Sequence, residues 1–137
     1  MPMIWFDHIG IACESNDESE KFWSLMGFKT TGSEENAKQG VRIRFMKGDE
    51  APQPSLELLE PISHNTPVGR FIANRGPGVQ QVALGTDDLP RLLDILKSNN
   101  IRLVNEEPML GAGGSQICFI HPSSTGGVLV ELVQKEP

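Results

Sequence analysis

The stretch Val-Leu-Val-Glu-Leu-Val at residues 128–133 has the composition of a buried β-strand. β-Branched residues and leucines lie on both sides of a single carboxylate, that of Glu131. Burying a carboxylate without a partner costs several kcal/mol, so the stretch predicts a neutralising group beside it. The pattern occurs once more, around Glu57 in Leu-Glu-Leu-Leu at residues 56–59. A divalent metal shared by the two glutamates would neutralise both.

Composition and charge indicate a soluble globular protein. The chain has 137 residues and a formal net charge of −6, which disfavours non-specific binding to nucleic acids and to anionic membranes. Its two cysteines are far apart and in no metal-binding spacing, which favours a reducing compartment. The first residues lack the basic region and apolar core of a signal peptide, and no apolar run approaches the roughly 20 residues of a membrane span. A cytoplasmic protein is therefore expected.

Residues 4–61 predict a first βαβββ module. Ser15 and Glu18 have the spacing of a capping box, in which each would bond the backbone of the other, and Gly27 would end the helix that follows. Four apolar residues are expected on the buried side of this helix: Phe22, Trp23, Leu25 and Met26. Strands are predicted over residues 4–12, 28–32, 41–47 and 55–60, with a polar turn over residues 48–54.

The same order of elements begins again after a Gly-Pro-Gly break at residues 76–78. A short helix over residues 67–74 precedes the break, and residues 78–134 predict the second module. Asp88 would cap its helix, with Pro90 in the first turn. Its strands are predicted over residues 79–85, 101–104, 115–120 and 127–133. The whole chain, residues 1–137, is therefore expected to be one domain made of two modules.

The two modules align residue by residue over their first strands and helices. Setting His8 on Gln81 also superposes the two helix caps and, with one extra residue, sets Glu57 on Glu131. Such self-similarity indicates a duplicated unit. Each module thus supplies one polar side chain on its first strand and one glutamate on its last. If the modules pair about a pseudo-twofold axis, these four residues would converge at the centre of a curved sheet.

One imidazole, one amide oxygen and two carboxylates form a mixed nitrogen and oxygen ligand set. That set suits a first-row divalent ion such as Co, Ni, Zn or Mn, and open positions would remain for water or a bidentate substrate. Each residue also has a simpler interpretation. His8 would be a hydrogen-bonded core histidine, and each glutamate would pair with an arginine such as Arg42, Arg44 or Arg102. The matched placement of all four residues favours the metal site.

Several longer motifs support a family assignment. They are Asp-His-Ile-Gly-Ile-Ala (7–12), Leu-Glu-Leu-Leu-Glu-Pro (56–61), Thr-Pro-Val-Gly-Arg-Phe-Ile (66–72), the Gly-Ala-Gly-Gly loop (111–114) and His-Pro-Ser-Ser-Thr-Gly-Gly-Val-Leu-Val-Glu-Leu (121–132). In this order they resemble the vicinal oxygen chelate superfamily, which includes glyoxalase I, extradiol dioxygenases and methylmalonyl-CoA epimerase, and they resemble the epimerase most. The resemblance implies an α+β fold in which tandem βαβββ modules form a curved, cup-like mixed sheet.

The resemblance also implies a site and a reaction. The family's metal ligands fall on His8, Glu57, Gln81 and Glu131. Glu57 and Glu131 would act as catalytic acid and base, removing and returning the α-proton of an acyl-CoA thioester through a metal-stabilised enolate. A metal-dependent epimerase or isomerase, forming a homodimer, is the expected function.

Three positions depart from the epimerase pattern. Gln80-Gln81 stands where the family usually has His-His, which would re-tune the metal. Ile43 stands where some epimerases have a base glutamate, which removes one candidate acid or base. Ser123 stands where a lysine is common, which would remove a contact to a phosphate or carboxylate.

Two other functions remain open at this point. The mixed ligand set also suits a glyoxalase I-type lactoylglutathione lyase that isomerises a thiol adduct. The same fold also serves metal-free proteins that sequester antibiotics. Arg42, Arg44 and Arg70 would either meet anionic groups of a substrate or lie on a solvated surface. The loop over residues 111–114 would either close over the site or form a tight turn.

Overall fold

The computed structural model describes residues 1–48 and 54–137, which form two compact units. Residues 8–80 form the N-terminal unit, and residues 1–7 together with 81–137 form the C-terminal unit. Most of the polar turn predicted over residues 48–54 lies outside the described residues. Within those residues, no helix is long and apolar enough to cross a membrane.

The N-terminal unit contains a four-stranded mixed sheet and two helices. The elements are β1 (Ile4–Ala12, whose first four residues belong to the C-terminal unit), α1 (Asn16–Leu25), β2 (Lys29–Asn36), β3 (Val41–Lys47), β4 (Ser55–Pro61) and α2 (Pro67–Arg75). The strand order is β2-β3-β4-β1. The first and last strands of the module, β1 and β4, are parallel neighbours, whereas β2, β3 and β4 pair in antiparallel fashion.

The C-terminal unit repeats this arrangement. Its elements are β5 (Gly78–Thr86, whose first three residues belong to the N-terminal unit), α3 (Leu89–Ser98), β6 (Met109–Leu110), β7 (Gln116–Ile120) and β8 (Val130–Gln134). The strand order is β5-β8-β7-β6, in which β5 and β8 are the parallel pair and β6, β7 and β8 pair in antiparallel fashion. The last strand begins three residues later than predicted, because Gly126 and Gly127 have positive φ angles that belong to the preceding turn.

Both predicted helix caps are present. The Ser15 hydroxyl accepts a hydrogen bond from the Glu18 amide at 3.2 Å, and the Asp88 carboxylate accepts one from the Arg91 amide at 3.2 Å. The reciprocal half of the capping box was predicted wrongly. The exposed Glu18 carboxylate accepts hydrogen bonds from Lys21 Nζ, one turn further along the helix.

The buried side of α1 differs from the prediction. Of the four apolar residues expected there, only Trp23 packs against the core, while Phe22, Leu25 and Met26 are 55%, 80% and 58% exposed. The inward stripe begins instead at the buried Asn16 and reaches Trp23 seven residues later, which is two helical turns. Apolar composition therefore misidentified the face, because the helix contacts the sheet along one narrow stripe.

The strand predicted over residues 101–104 is also absent. The segment makes a single bridge between Leu103 and Ile120, and the outermost strand of the C-terminal unit is β6. The Asn105 side chain explains the difference, because its Oδ1 accepts the Phe119 amide at 2.9 Å. A side chain thus takes the place that a neighbouring strand's carbonyl would fill.

The burial of core residues gives a first testable prediction about stability. Leu58 on β4 is fully buried, so Leu58→Ala should lower the free energy of unfolding by about 2–5 kcal/mol. Leu25→Ala, in the exposed stripe of α1, should change it by no more than about 0.5 kcal/mol. Urea unfolding followed by circular dichroism measures both, and equal losses in the two variants would contradict the assigned helix face.

Candidate functional site

The first candidate pair, His8 and Glu57, lies in the N-terminal unit. Both side chains are buried, with 4% and 9% of the residue surface exposed. Parallel pairing sets Gly10 opposite Glu57, and His8 shares the face of Gly10 because alternate strand residues point the same way. The imidazole therefore reaches the carboxylate, with His8 Nε2 3.3 Å from Glu57 Oε2.

The second candidate pair, Gln81 and Glu131, lies in the C-terminal unit in the equivalent register. Parallel pairing sets Ala83 opposite Glu131, and Gln81 precedes Ala83 by two residues, as His8 precedes Gly10. Both residues are buried, at 7% and 6% exposure. The Gln81 amide nitrogen donates a hydrogen bond to Glu131 Oε1. Each buried glutamate therefore has a polar partner, as the apolar composition of its strand predicted.

Two of the three arginines considered as alternative partners for the glutamates, Arg42 and Arg44, pair with other carboxylates. Arg42 Nη1 lies 3.0 Å from Glu60 Oε2, and Arg44 Nη1 lies 2.8 Å from Asp17 Oδ1. The hydrogen bond to Asp17 is the main cause that raises the pKa of Arg44. Arg70 donates to the backbone carbonyl of Asn65 at 2.9 Å, which ties the start of α2 to the preceding loop.

The His8–Glu57 pair fits the chemistry of a divalent cation, whereas in the second pair the Gln81 amide presents its nitrogen, and not the oxygen that would bind a metal, to Glu131. Two ligands on adjacent corners of a coordination shell with bonds of about 2.1 Å lie about 3 Å apart, close to the separation of His8 Nε2 and Glu57 Oε2. Within residues 1–48 and 54–137, no group of three or more histidine, cysteine, aspartate or glutamate side chains forms a metal-binding cluster. The structure thus brings the candidate ligands together as two pairs, and a single site made of all four stays a prediction.

A polar cleft of about 390 Å³ in the N-terminal unit contains none of the candidate ligands. Its lining includes both paired arginines and four carboxylates, those of Asp17, Glu34, Glu35 and Glu60. Because carboxylates outnumber guanidinium groups, the cleft does not favour the anionic groups of a substrate.

The glycine loop over residues 111–114 forms a tight turn. The Gly111 amide donates to the Ser115 carbonyl at 2.8 Å, and the Gly114 amide donates to the Gly111 carbonyl at 3.1 Å. A Cβ at position 111 would lie 2.7 Å from the buried Ile117 side chain, so a larger residue there would force Ile117 to shift. His121 stabilises the next turn, since its Nδ1 accepts a hydrogen bond from the Ser123 amide at 3.0 Å.

The sequence analysis missed one pair of residues beside the glutamates. On the antiparallel side, Phe45 is paired with Glu57 and Phe119 with Glu131. The signal was present, because each phenylalanine precedes its glutamate by the same twelve residues. The alignment of the two modules would have found it had it been extended to the third strands.

Comparison with known proteins identifies the family. Residues 7–119 match the glyoxalase/bleomycin resistance protein/dioxygenase superfamily, which is also called the vicinal oxygen chelate superfamily. The chain belongs to this superfamily. The resemblance drawn from the sequence motifs is thereby confirmed.

Members of the superfamily match the chain over nearly its whole length. The chain is 34% identical over 129 residues to the uncharacterised protein YqjC of Bacillus subtilis, and the alignment covers 93% of this chain and 90% of YqjC. The solved structure of a hypothetical protein from Bacillus halodurans is 36% identical, with a TM-score of 0.91 over 98% of this chain and 96% of its own. A variant of Streptomyces coelicolor methylmalonyl-CoA epimerase, in complex with 2-nitronate-propionyl-CoA, is 35% identical, with a TM-score of 0.90 over 97% of this chain and 98% of its own. The predicted superfamily fold is confirmed.

The two cysteines yield a second prediction. Burial raises the pKa of both the Cys13 and Cys118 thiols, and Cys13 Sγ donates to Asn16 Oδ1 at 3.0 Å. Since the thiolate is the nucleophile, both should react with Ellman's reagent at pH 8 about 100-fold more slowly in the native protein than in guanidinium chloride. Rapid reaction of either thiol in the native protein would show that it is accessible and ionised.

Proposed function

We propose that the protein is a metal-dependent, epimerase-like isomerase that acts on an acyl-CoA thioester. The main support is the equivalent placement of two buried glutamates in the two units. Each lies on the last strand of its module, Glu57 beside the His8 imidazole and Glu131 beside the Gln81 amide. The similarity to methylmalonyl-CoA epimerases adds to this support. The homodimer and the cytoplasmic location expected from the sequence remain predictions.

In this proposal His8, Glu57, Gln81 and Glu131 hold one divalent ion. Two carboxylates would balance its charge, which is the compensation that buried glutamates require. When bound, such an ion supplies Lewis acidity that polarises a thioester carbonyl and stabilises the negative charge of an enolate. A ligand set of an imidazole nitrogen, an amide oxygen and two carboxylates is compatible with Co, Ni, Zn or Mn.

The two glutamates then exchange protons with the substrate. Either glutamate could leave the ion when the substrate binds and accept the proton from the α-carbon, while the electrons of the broken C–H bond move into the thioester carbonyl. The other glutamate, after taking a proton from solvent, would return it to the opposite face of the same carbon and restore the carbonyl. The first glutamate then releases its proton to solvent before the next turnover.

The neighbours of the glutamates define their part in this reaction. His8 Nε2 lies 3.3 Å from the Glu57 carboxylate, a separation at which the two could bind one ion as adjacent ligands. The Gln81 amide nitrogen donates a hydrogen bond to Glu131 Oε1, which orients that carboxylate. Ile43 on β3 is buried and apolar, so that position supplies no third acid or base. Acid–base chemistry consequently falls to Glu57 and Glu131.

Replacing one glutamate tests the proposed ligand set. Glu131→Gln should abolish both metal retention and turnover, because it removes one of the two charges that balance the cation. Metal analysis of the purified protein and an activity assay measure the two losses. Glu14→Gln, at an exposed position, is the control and should retain both. A Glu131→Gln protein that remains fully active and metal-loaded would contradict the assignment.

Isotope exchange separates the epimerase-like reaction from its alternatives. The metal-loaded protein in deuterated water should exchange the α-hydrogen of methylmalonyl-CoA, which mass spectrometry detects as incorporated deuterium. Turnover of the methylglyoxal–glutathione adduct without such exchange would instead support a glyoxalase I-type lyase, which the same donors suit. Tight binding of a drug-like ligand with no metal and no turnover would support a sequestering protein.

A further inference from the structure

His121 lies on the same face of the C-terminal unit as Glu131. Phe119 on β7 pairs with Glu131 on β8, so the two side chains share one face of the sheet. His121 follows Phe119 by two residues, immediately beyond the end of β7, and its side chain therefore returns to that face. The imidazole is thus a diagonal neighbour of Glu131, about 7–8 Å away across the sheet.

Arg102 lies beside His121 on the outer side of β7. The His121 amide donates to the Arg102 carbonyl at 2.8 Å, next to the bridge that joins Leu103 to Ile120. Leu103 and Ile120 are buried in the core cluster that includes the leucines of α3. Because neighbouring residues of an extended segment alternate between faces, Arg102 and His121 lie on the opposite face, which is that of Glu131.

The Arg102 guanidinium and the His121 imidazole can both donate to a ligand. Arg102 is exposed, and in the part of the chain that the structure describes no carboxylate forms an ion pair with either side chain. His121 Nδ1 accepts the Ser123 amide at 3.0 Å, so the proton of the neutral ring is on Nε2, which becomes a hydrogen-bond donor. The Arg102 amide donates to Ser124 Oγ at 2.8 Å, which holds the arginine backbone against the same turn. A positive charge and a fixed N–H donor therefore lie side by side.

We propose that Arg102 and His121 bind a phosphate group of the coenzyme A portion of the thioester. The inference rests on the proposed acyl-CoA substrate and assigns its anionic end to residues of the C-terminal unit. A guanidinium group presents a planar fork of N–H donors that matches two phosphate oxygens, and His121 Nε2–H supplies a further donor. Because the whole chain has a net charge of −6, binding of an anionic ligand requires such a local positive group.

The distance between Arg102 and Glu131 suits the length of coenzyme A. Arg102 is two strand spacings and two residues away from Glu131, or about 12 Å between their Cα atoms. The pantetheine arm joins the thioester sulfur to the diphosphate through about thirteen bonds and spans about 15 Å when extended. The long arginine side chain covers the difference, so a phosphate can reach Arg102 while the acyl group lies beside Glu131.

Binding of acyl thioesters that differ in their phosphates tests the site. Isothermal titration calorimetry of the purified protein compares acetyl-CoA, acetyl-dephospho-CoA and S-acetylpantetheine, none of which has a free thiol. Arg102→Ala should weaken binding of acetyl-CoA about 10-fold, because it removes charge-assisted hydrogen bonds, and should leave binding of S-acetylpantetheine unaffected. An effect that persists with acetyl-dephospho-CoA assigns the diphosphate to the site, and one that disappears assigns the 3′-phosphate.

Further variants separate specific recognition from general electrostatic attraction. Arg102→Lys, which keeps the charge but not the planar fork, should give an intermediate loss. His121→Asn should weaken binding of acetyl-CoA about 3-fold, because asparagine can still accept the Ser123 amide but lacks the Nε2–H donor. Arg91→Ala is the matched control, since it removes an exposed arginine of α3, which packs on the other face of the sheet. This variant should bind all three thioesters as the wild type does.

The outcomes distinguish this inference from the proposed function. A wild type that binds acetyl-CoA no more tightly than S-acetylpantetheine overturns the inference, as does a folded Arg102→Ala protein with wild-type affinity for acetyl-CoA. An equal loss in Arg91→Ala, or an equal loss for S-acetylpantetheine, also overturns it. Should Arg102→Ala unfold, Arg102→Gln, which retains most of the side chain's length, decides by the same criteria.

The exchange assay with methylmalonyl-CoA then completes the comparison. If Arg102→Ala selectively weakens binding of acetyl-CoA but no α-hydrogen exchange occurs in the wild type, the phosphate site stands and the epimerase-like reaction fails. If exchange occurs and Arg102→Ala binds acetyl-CoA as the wild type does, the reaction stands and the phosphate site fails.

Discussion

The burial of two carboxylates on apolar strands is the constraint on which this structure depends. Glu57 and Glu131 lie among leucines and valines, where an unpaired charge would oppose folding by several kcal/mol. A parallel pairing of the first and last strands of each module resolves the conflict, because it brings His8 to one glutamate and Gln81 to the other. A slip of one residue in either pairing would turn the partner to the opposite face of the sheet.

The two modules solve this problem with the same register but with different partners. An imidazole can donate or accept a hydrogen bond, whereas the amide nitrogen of Gln81 can only donate. The two glutamates are therefore not chemically equivalent, even though their strand neighbours match. That asymmetry suits the proposed reaction, in which one carboxyl group removes a proton and the other returns one.

Local signals in the sequence were sufficient for much of the fold. Ser15 and Asp88 cap their helices as predicted, since a cap depends on residues three positions apart. Predictions failed where a distant contact overrides local preference. The apolar residues Phe22 and Leu25 lie on the exposed side of α1, because the sheet contacts another stripe of the helix. The strand expected over residues 101–104 does not form, because the Asn105 side chain accepts the hydrogen bond of the Phe119 amide.

By itself the sequence determined that each half carries a carboxylate on a buried strand and that this carboxylate requires a partner. Both conclusions follow from the hydropathy and charge of a few consecutive residues, so neither depends on contacts between distant parts of the chain. The tertiary structure decided which partner each glutamate has, because His8 and Glu57 lie 49 residues apart and meet only through strand register. It also decided that Arg42 and Arg44 pair elsewhere and that phenylalanines flank both carboxylates, since antiparallel neighbours are set by pairing across the sheet.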